Sequence, residues 1–153
     1  MSAPRLRVVE GEAADGIVEG RQWPLVPDGQ YLAVYVGHDV VEMQQFKRQA
    51  KVFIHLRLID AGEYTGRVLF RAYRVRRIVG RRFIVGPRSD LLMMVCRILD
   101  HRARPDRISL QGLRHILVVV RTRTICTDRR QRQLPTTMHY SVVDEILGKE
   151  TTA

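Results

Sequence analysis

Apolar and polar residues alternate most strictly in "KVFIHLRLID", residues 51–60. One face of this segment is aliphatic and consists of Val52, Ile54, Leu56 and Leu58. The other face is basic and aromatic and consists of Lys51, Phe53, His55 and Arg57. A period of two with one apolar face predicts a half-buried β-strand.

Two neighbouring segments show the same period. The first starts at Gln30, with Leu32, Val34 and Val36 on one face and Tyr31, Ala33 and Tyr35 on the other. The second, "RVLFRAYRV" at residues 67–75, follows the glycine-bounded turn "AGEYTG". We expect Val68, Phe70 and Ala72 to point inward there, and Arg67, Arg71 and Tyr73 to point outward. With that facing, Arg74 and Arg76 break the pattern, which predicts a bulge or a strand that leaves the sheet, and then an irregular hairpin or loop.

One segment shows helical periodicity, "SDLLMMVCRILDHR" at residues 89–102. Ser89 is the expected N-cap, and acidic Asp90 suits the positive end of the helix. Arg97 and Arg102 suit its other end. The apolar stripe at helical spacing consists of Leu91, Leu92, Val95, Ile98 and Leu99.

Two further strands are predicted after the helix. "LRHILVVVRTRTICTD", residues 113–128, is apolar on both faces at its centre, so we expect both faces to be covered. "DRRQRQ", residues 128–133, is a basic turn, and the final strand follows within 135–147.

The predicted order is therefore three strands, one helix and two strands. This is the element order of a mainly β OB fold, a five-stranded barrel with an α-helix between strands three and four. The domain would span residues 25–147, after a loosely ordered arm at 1–24 and before a short tail at 148–153. A mixed α+β sheet of another topology is the alternative.

Charge is the most unusual property of the composition. The chain of 153 residues has a formal net charge of +10. Residues 1–42 contribute −4, residues 43–143 contribute +16 with 22 bases and six acids, and the last ten residues contribute −2. Because the positive charge lies in the predicted folded region, it indicates a shaped binding surface for a polyanion.

Other classes of function have little support in the sequence. Cys96 and Cys126 are too few for a disulfide framework, and Cys96 is expected to pack in the core. The five histidines lack metal-ligand spacing, and no phosphate-binding glycine loop occurs. No secretion signal or membrane-length apolar run is evident, so a cytoplasmic protein is expected. Because the motifs named above are missing, no cofactor, metal or catalytic residue is expected either.

Basic and aromatic residues concentrate where an OB fold binds nucleic acid, on strands two and three and in the loop between strands four and five. Cations would follow the phosphate backbone while flat rings stack on bases. The expected phosphate contacts on the strands and the extension are Lys51, Arg57, Arg67, Arg71, Arg76, Arg81 and Arg82. The expected stacking residues are Phe53, Tyr73 and Phe83. The residues expected to close the groove are Arg121, Arg123, Arg129, Arg130 and Arg132.

The segment from "VPDGQYLAVYVG" to "GRVLFRAYRV" resembles the single-stranded-DNA-binding-like OB proteins of phages, plasmids and integrated mobile elements. The residues that carry the resemblance are Gly29, Tyr31, Gly62, Tyr64, Gly66, Phe70 and Tyr73, followed by a helix that opens at Ser89. The resemblance covers about residues 27–147. It implies an OB fold, strand-sized nucleic-acid binding, and a role in replication or recombination of a mobile element. A homo-oligomer, either a dimer or a tetramer, is expected separately from the size of the chain and its apolar edge.

The expected function is therefore sequence-independent binding of single-stranded DNA. Two alternatives stay open at this point: an RNA-binding OB protein, and a β-barrel adaptor whose basic face docks on an acidic protein. A nuclease has the least support, since the basic region lacks clustered carboxylates. The apolar stretch at residues 116–120 is the expected edge for pairing between subunits.

Overall fold

In a computed structural model, the structure is described for residues 20, 22–43, 49–100 and 107–150. It contains seven strands and one α-helix within those ranges: β1 (Gln30–Met43), β2 (Gln49–Leu58), β3 (Val68–Val75), β4 (Arg77–Val79), β5 (Arg82–Ile84), α1 (Asp90–Leu99), β6 (Leu117–Ile125) and β7 (Tyr140–Lys149). Most of the predicted arm at 1–24 lies outside the described residues. The last strand extends to Lys149, two residues beyond the predicted domain end.

Five of the strands form one antiparallel sheet in the order β3-β2-β1-β6-β7. The mainly β class and the strand–helix–strand order are confirmed. The sheet is not closed into a barrel, because β3 and β7 are its two edges and no ladder joins them in the described part of the chain. These two edge strands nevertheless approach each other.

The stretch before β1 lies against the first residues of both edge strands. The Ser141 N–H at the start of β7 donates to Pro24 O at 2.9 Å, and the Ser141 hydroxyl donates to Val26 O at 2.9 Å. Arg67, just before β3, donates from Nη1 to Leu25 O at 2.7 Å. Residues 24–26 therefore connect the two edges through their backbone oxygens.

The core forms on one face of the sheet, as the alternation in β2 predicted. Val52, Ile54, Leu56 and Leu58 are all buried. On β1 the buried residues are Ala33 and Tyr35, whereas Leu32, Val34 and Val36 are half-buried. A register shift between Tyr35 and Gly37 changes which residues of β1 face the core beyond that point.

The predicted facing of β3 is wrong. Its buried side chains are Leu69, Tyr73 and Val75. Val68 is exposed, and Phe70 and Ala72 are half-buried. The reason is the register with β2, which places Leu69 opposite Leu56 and Tyr73 opposite Val52, both of them core residues. Arg74 therefore continues the alternation on the outside and does not break it.

The chain does leave the sheet after Val75, as the sequence predicted for this region. A bend at Arg76 leads into a separate two-stranded sheet of β4 and β5. Gly80 opens the turn between them with a φ of 60°, a left-handed conformation that favours glycine. Phe83 and its cross-strand partner Ile78 pack against the core.

Helix α1 packs against β3 and β7 and covers part of the core. The predicted cap is confirmed, because the Ser89 hydroxyl accepts the Leu92 N–H at 3.1 Å. The buried residues of the helix are Leu91, Met94, Val95 and Ile98. Leu92 and Leu99 of the predicted stripe are half-buried, and so is Cys96, which was expected in the core. Arg102 lies outside the described residues.

The predicted coverage of β6 on both faces is wrong. Val118 and Val120 are buried, but Leu117 is 39% exposed and Val119 is half-buried. On that outer side Leu117 and Val119 lie beside Val34 and Leu32 of β1, so apolar residues of neighbouring strands shield one another only in part. Strand β6 also lies between β1 and β7, and both of its ladders are occupied. Residues 117–120 are therefore not a free edge for pairing between subunits.

Candidate nucleic-acid interface

The outer face of β2 and β3, opposite the core, is defined by four cross-strand pairs. These are Lys51 with Arg74, Phe53 with Ala72, His55 with Phe70, and Arg57 with Val68. Cations thus lie at both ends of this face and aromatic rings lie between them. From Lys51 to Arg57 the face extends about 20 Å, at roughly 3.3 Å per residue.

Three aromatic rings form a continuous series on this face. The Phe53 and Phe70 ring centroids are 5.4 Å apart, and those of Phe70 and Trp23 are 5.6 Å apart, both in edge-to-face geometry. The Trp23 ring also lies 6.1 Å from Tyr140 at the start of β7. Trp23 is 43% exposed, and Phe53 and Phe70 are half-buried. We call Trp23, Phe70 and Phe53 the ring series.

The local sequence explains why these rings meet. Phe53 and Phe70 belong to the same face of adjacent strands, one step apart diagonally, a distance that aromatic side chains can bridge. Trp23 reaches Phe70 because the backbone that follows it is hydrogen-bonded to both sheet edges through Pro24 and Leu25. Edge-to-face pairs of this kind contribute about 0.5–1.5 kcal/mol each beyond their buried area.

Three cations of the outer face have no carboxylate partner in the described part of the chain. Within the described residues, no ion pair is formed by Lys51, Arg57 or Arg74. His55 differs, because its Nε2 lies 2.7 Å from Asp39 Oδ2 on β1. The three cations are therefore available to an anionic ligand beside the rings.

The segment after β3 adds a second group of free arginines. Arg76, Arg77, Arg81 and Arg82 are all exposed, and none forms an ion pair with a described residue. They lie at the bend before β4, on β4, in the turn after it and on β5, and we call residues 76–84 the arginine hairpin. Phe83 was expected to stack on bases, but it is half-buried, packs against the core, and lies 5.6 Å from the His38 ring.

The predicted β6 arginines are already paired. Arg121 Nη2 lies 3.0 Å from both Asp144 and Glu145, and Arg123 Nε lies 2.9 Å from Asp144. Arg97 of α1 reaches Glu145 at 3.7 Å. These carboxylates on β7 neutralise the cations that the sequence placed in the groove, because the strand pairing brings residues 20 or more positions apart side by side.

The basic turn after β6 is organised by Asp128. Its carboxylate accepts the Arg130 N–H at 2.8 Å, the Arg132 N–H at 2.9 Å and Arg132 Nε at 2.8 Å. The backbone N–H of Arg132, first among these donors, lowers the pKa of Asp128. All three predicted arginines of this turn, Arg129, Arg130 and Arg132, are exposed, and Arg132 is in addition paired with Asp128. The strand directions put this turn at the end of the sheet opposite to the arginine hairpin.

Two predicted contact residues of β3 turn toward the core side. Tyr73 is only 6% exposed, and burial raises its pKa to about 12. The Arg71 guanidinium lies 4.7 Å from the Tyr73 ring centroid and donates to Ala72 O at 2.7 Å. Tyr73 therefore belongs to the core and is not placed to stack on a base. Arg67, the predicted cation just before β3, has its guanidinium 4.9 Å from the centroid of the Tyr64 ring.

Four residues of this surface were not predicted from the sequence, namely Trp23, Phe70, Arg74 and Arg77. Phe70 and Arg74 were missed because the facing of β3 was inverted. Arg77 continues the arginine run of the extension and was simply not selected. Trp23 was assigned to the arm, although it is the single tryptophan of the chain and starts "WPLVP", a proline-rich stretch typical of an extended, ordered segment.

Neither a metal site nor a membrane helix is evident. Across residues 20, 22–43, 49–100 and 107–150, no three histidine, cysteine, aspartate or glutamate side chains are grouped to hold a metal ion. No helix in those same ranges has both the length and the apolar character needed to cross a membrane. Comparison of the chain with protein-family models, with curated proteins and with solved structures gives no match.

Proposed function

We propose that the protein binds single-stranded nucleic acid on the outer face of β2 and β3. The observation that carries the proposal is the ring series, flanked at both ends by cations that form no ion pair with a described residue. Bases of a single strand would stack on Trp23, Phe70 and Phe53. Phosphates would contact Lys51, Arg57 and Arg74, and the arginine hairpin would continue the backbone path.

Physical chemistry favours a single strand over a duplex for this surface. Each base that stacks on an aromatic side chain contributes about 1–3 kcal/mol, irrespective of its identity. In a duplex the base faces are already stacked on one another and cannot reach the rings. The basic groups supply affinity without sequence information, because they contact phosphates.

We further propose that the sheet is a variant of the OB fold. The strand order is that of an OB barrel opened between β3 and β7, and these two edges approach each other. The backbone of residues 24–26 hydrogen-bonds to residues at the start of both edges, which supports the same interpretation. In OB folds the outer face of strands two and three binds oligonucleotides.

The biological role that we propose is DNA replication or recombination of a phage, plasmid or integrated mobile element. This role rests on the sequence resemblance. The proposed action is binding without a catalytic step, and the proposed ligand is single-stranded DNA, with RNA as the alternative. Parallel titrations with dT and rU oligomers distinguish the two, and tighter binding of the rU oligomer would contradict the DNA assignment.

Fluorescence titration tests the binding itself. Trp23 is the only tryptophan and lies within the ring series, so stacking of a dT oligomer on it should quench its emission. The logarithm of the binding constant should fall linearly with the logarithm of salt concentration. Contacts from three cations predict a slope of about −2, and the four arginines of the hairpin bring it to about −5. Absence of binding at low salt would refute the proposal.

A pair of arginine variants separates the site from general charge. Arg57→Ala removes a free cation beside the rings and should reduce the salt slope by about 0.7. Arg123→Ala removes the same formal charge from an arginine that is paired with Asp144, and should leave the slope unchanged. Equal effects of the two substitutions would mean that binding depends on net charge and not on this face.

Competition with heparin distinguishes binding of nucleic acid from docking on an acidic protein. A polyanion without bases can occupy the cations but cannot stack on the rings. We expect heparin to compete weakly and to leave Trp23 emission unquenched. Equal affinity for heparin and oligonucleotide, without quenching by either, would favour the adaptor.

A further inference from the structure

A cavity of about 500 Å³ opens beside the end of β3, where α1 begins. Four of the residues that line it are basic, namely Lys51, Arg71, Arg74 and Arg88. One carboxylate, that of Asp90, also lines it. No ion pair within the described residues neutralises any of the four cations. We call this cavity the notch.

Two contacts position Arg71 in the notch, but one of its N–H donors lacks an acceptor among the described residues. Its Nη1 donates to Ala72 O, and its guanidinium stacks on the Tyr73 ring. Its Nε is buried and has no hydrogen-bond partner among the described residues. A buried donor without an acceptor carries a desolvation cost, which an anionic oxygen reached by a small rotation of the guanidinium would remove.

The first turn of α1 forms one wall of the notch. Ser89 satisfies the Leu92 N–H, which leaves the earlier N–H groups of the turn without an intrahelical acceptor. The positive end of the helix therefore adds to the field of the four cations, and Asp90 opposes it. The cation cluster and the unsatisfied guanidinium carry the inference, and the helix end only supports it.

We propose that the notch binds a phosphate monoester, the group found at the terminus of a nucleic-acid strand. A monoester carries between about 1.5 and 2 negative charges at neutral pH and has three free oxygens. An internal phosphodiester carries only one negative charge. That is less than the notch, with four cations and one carboxylate, can neutralise. Lys51 and Arg74 also belong to the outer face, so a strand bound to the rings can end in the notch. The strand-end form of the ligand rests on the proposed function.

Three oligomers of equal length test the site on the full-length protein: dT with a 5′-phosphate, with a 3′-phosphate, and with hydroxyls at both ends. One phosphorylated end should bind about tenfold more tightly than the hydroxyl form, as expected for new hydrogen bonds between charged groups. Which end is preferred reports the polarity of the bound strand. Identical affinities of the three oligomers would overturn the proposal.

Two variants test whether the notch is responsible. Exposed Arg88 lies outside the proposed ring surface, so Arg88→Ala should abolish the end preference and leave the affinity for the hydroxyl oligomer unchanged. Arg71→Gln should also abolish the preference. The control is Arg81→Ala, which removes an exposed arginine of the hairpin. It should lower the affinity for all three oligomers by the same factor. A preference that survives in both notch variants would refute the assignment.

A mononucleotide separates this inference from the proposed function. Thymidine 5′-monophosphate should shift amide resonances of residues 88–91, whereas thymidine should not, and Arg88→Ala should remove the shifts. If the monophosphate binds but no oligomer does, the notch is supported and the proposed function fails. If the hydroxyl oligomer quenches Trp23 without any end preference, the notch fails and the proposed function stands.

Discussion

Replacing Phe70 by alanine removes the middle ring of the series and tests the stacking surface most directly. The ring lies 5.4 Å from Phe53 and 5.6 Å from Trp23, so its loss separates the two that remain. Loss of one stacked base costs about 1–3 kcal/mol, which is roughly a 5- to 150-fold weaker affinity for a dT oligomer. Phe70 is only half-buried, so the loss of stability should be smaller than the ~3–5 kcal/mol of a buried phenylalanine.

The assay combines oligonucleotide titration with thermal unfolding of the same sample. Binding is followed by the anisotropy of a labelled oligomer, because Phe70→Ala also changes the surroundings of the tryptophan. The matched control is Phe83→Ala, which removes the same ring from a residue that packs against the core and His38. Phe83→Ala should reduce stability and change the affinity of the folded protein little.

The opposite result would refute the stacking model. If Phe83→Ala weakens binding more than Phe70→Ala at equal folded fraction, the bases contact the arginine hairpin and not the ring series. If neither substitution changes the affinity, the rings have no part in binding and the surface acts through charge alone.

Two further predictions concern ionisation and the turn after β6. The pKa of Tyr73 is about 12 in the folded protein and 10.0 in the unfolded chain, so the unfolded state releases its proton first. The contribution of Tyr73 to the free energy of unfolding is fully present below pH 10 and should fall by about 2–3 kcal/mol as the pH rises to 12. Denaturant titrations of the wild type and Tyr73→Phe at alkaline pH measure this loss. An identical decrease of stability with pH in the two proteins would contradict the buried position of Tyr73. The pKa of Asp128 is lowered, so its contribution is present above the ordinary value of 3.8 and is lost as pH falls through the lower folded value. Asp128→Ala should free the turn at neutral pH, seen as faster amide exchange at Arg130 and Arg132; unchanged exchange would show that the carboxylate does not hold the turn.

The elements that the sequence predicted well are those whose pattern allows one interpretation. In β2 every second residue is aliphatic, so only one facing buries them, and that facing is found. The start of α1 was predictable because a serine before a helical apolar stripe satisfies a free N–H locally. Such features depend on residues close together in the chain.

The site could be predicted only in part, because its members depend on pairing between distant residues. Phe53 and Arg57 were found, since they lie opposite the apolar face of β2. Phe70 was missed because β3 has apolar residues on both faces, so a period of two does not by itself decide which face is buried. Trp23 lies beside the other rings because the residues after it are hydrogen-bonded to the two sheet edges. Such bonds between distant residues cannot be predicted from a local sequence pattern.

The sequence by itself determined that the protein is a mainly β domain and that its folded part carries the positive charge. It also determined that aromatic residues and arginines lie on strands in which apolar and polar residues alternate. Tertiary structure decided which of those groups are available. It placed Asp144 and Glu145 against the β6 arginines, buried Tyr73, and left Lys51, Arg57 and Arg74 beside the rings without an ion pair to any described residue. The physical reason is that net charge and alternation can be seen along the chain itself. Which charges are neutralised and which side chains are buried depends on the register between strands.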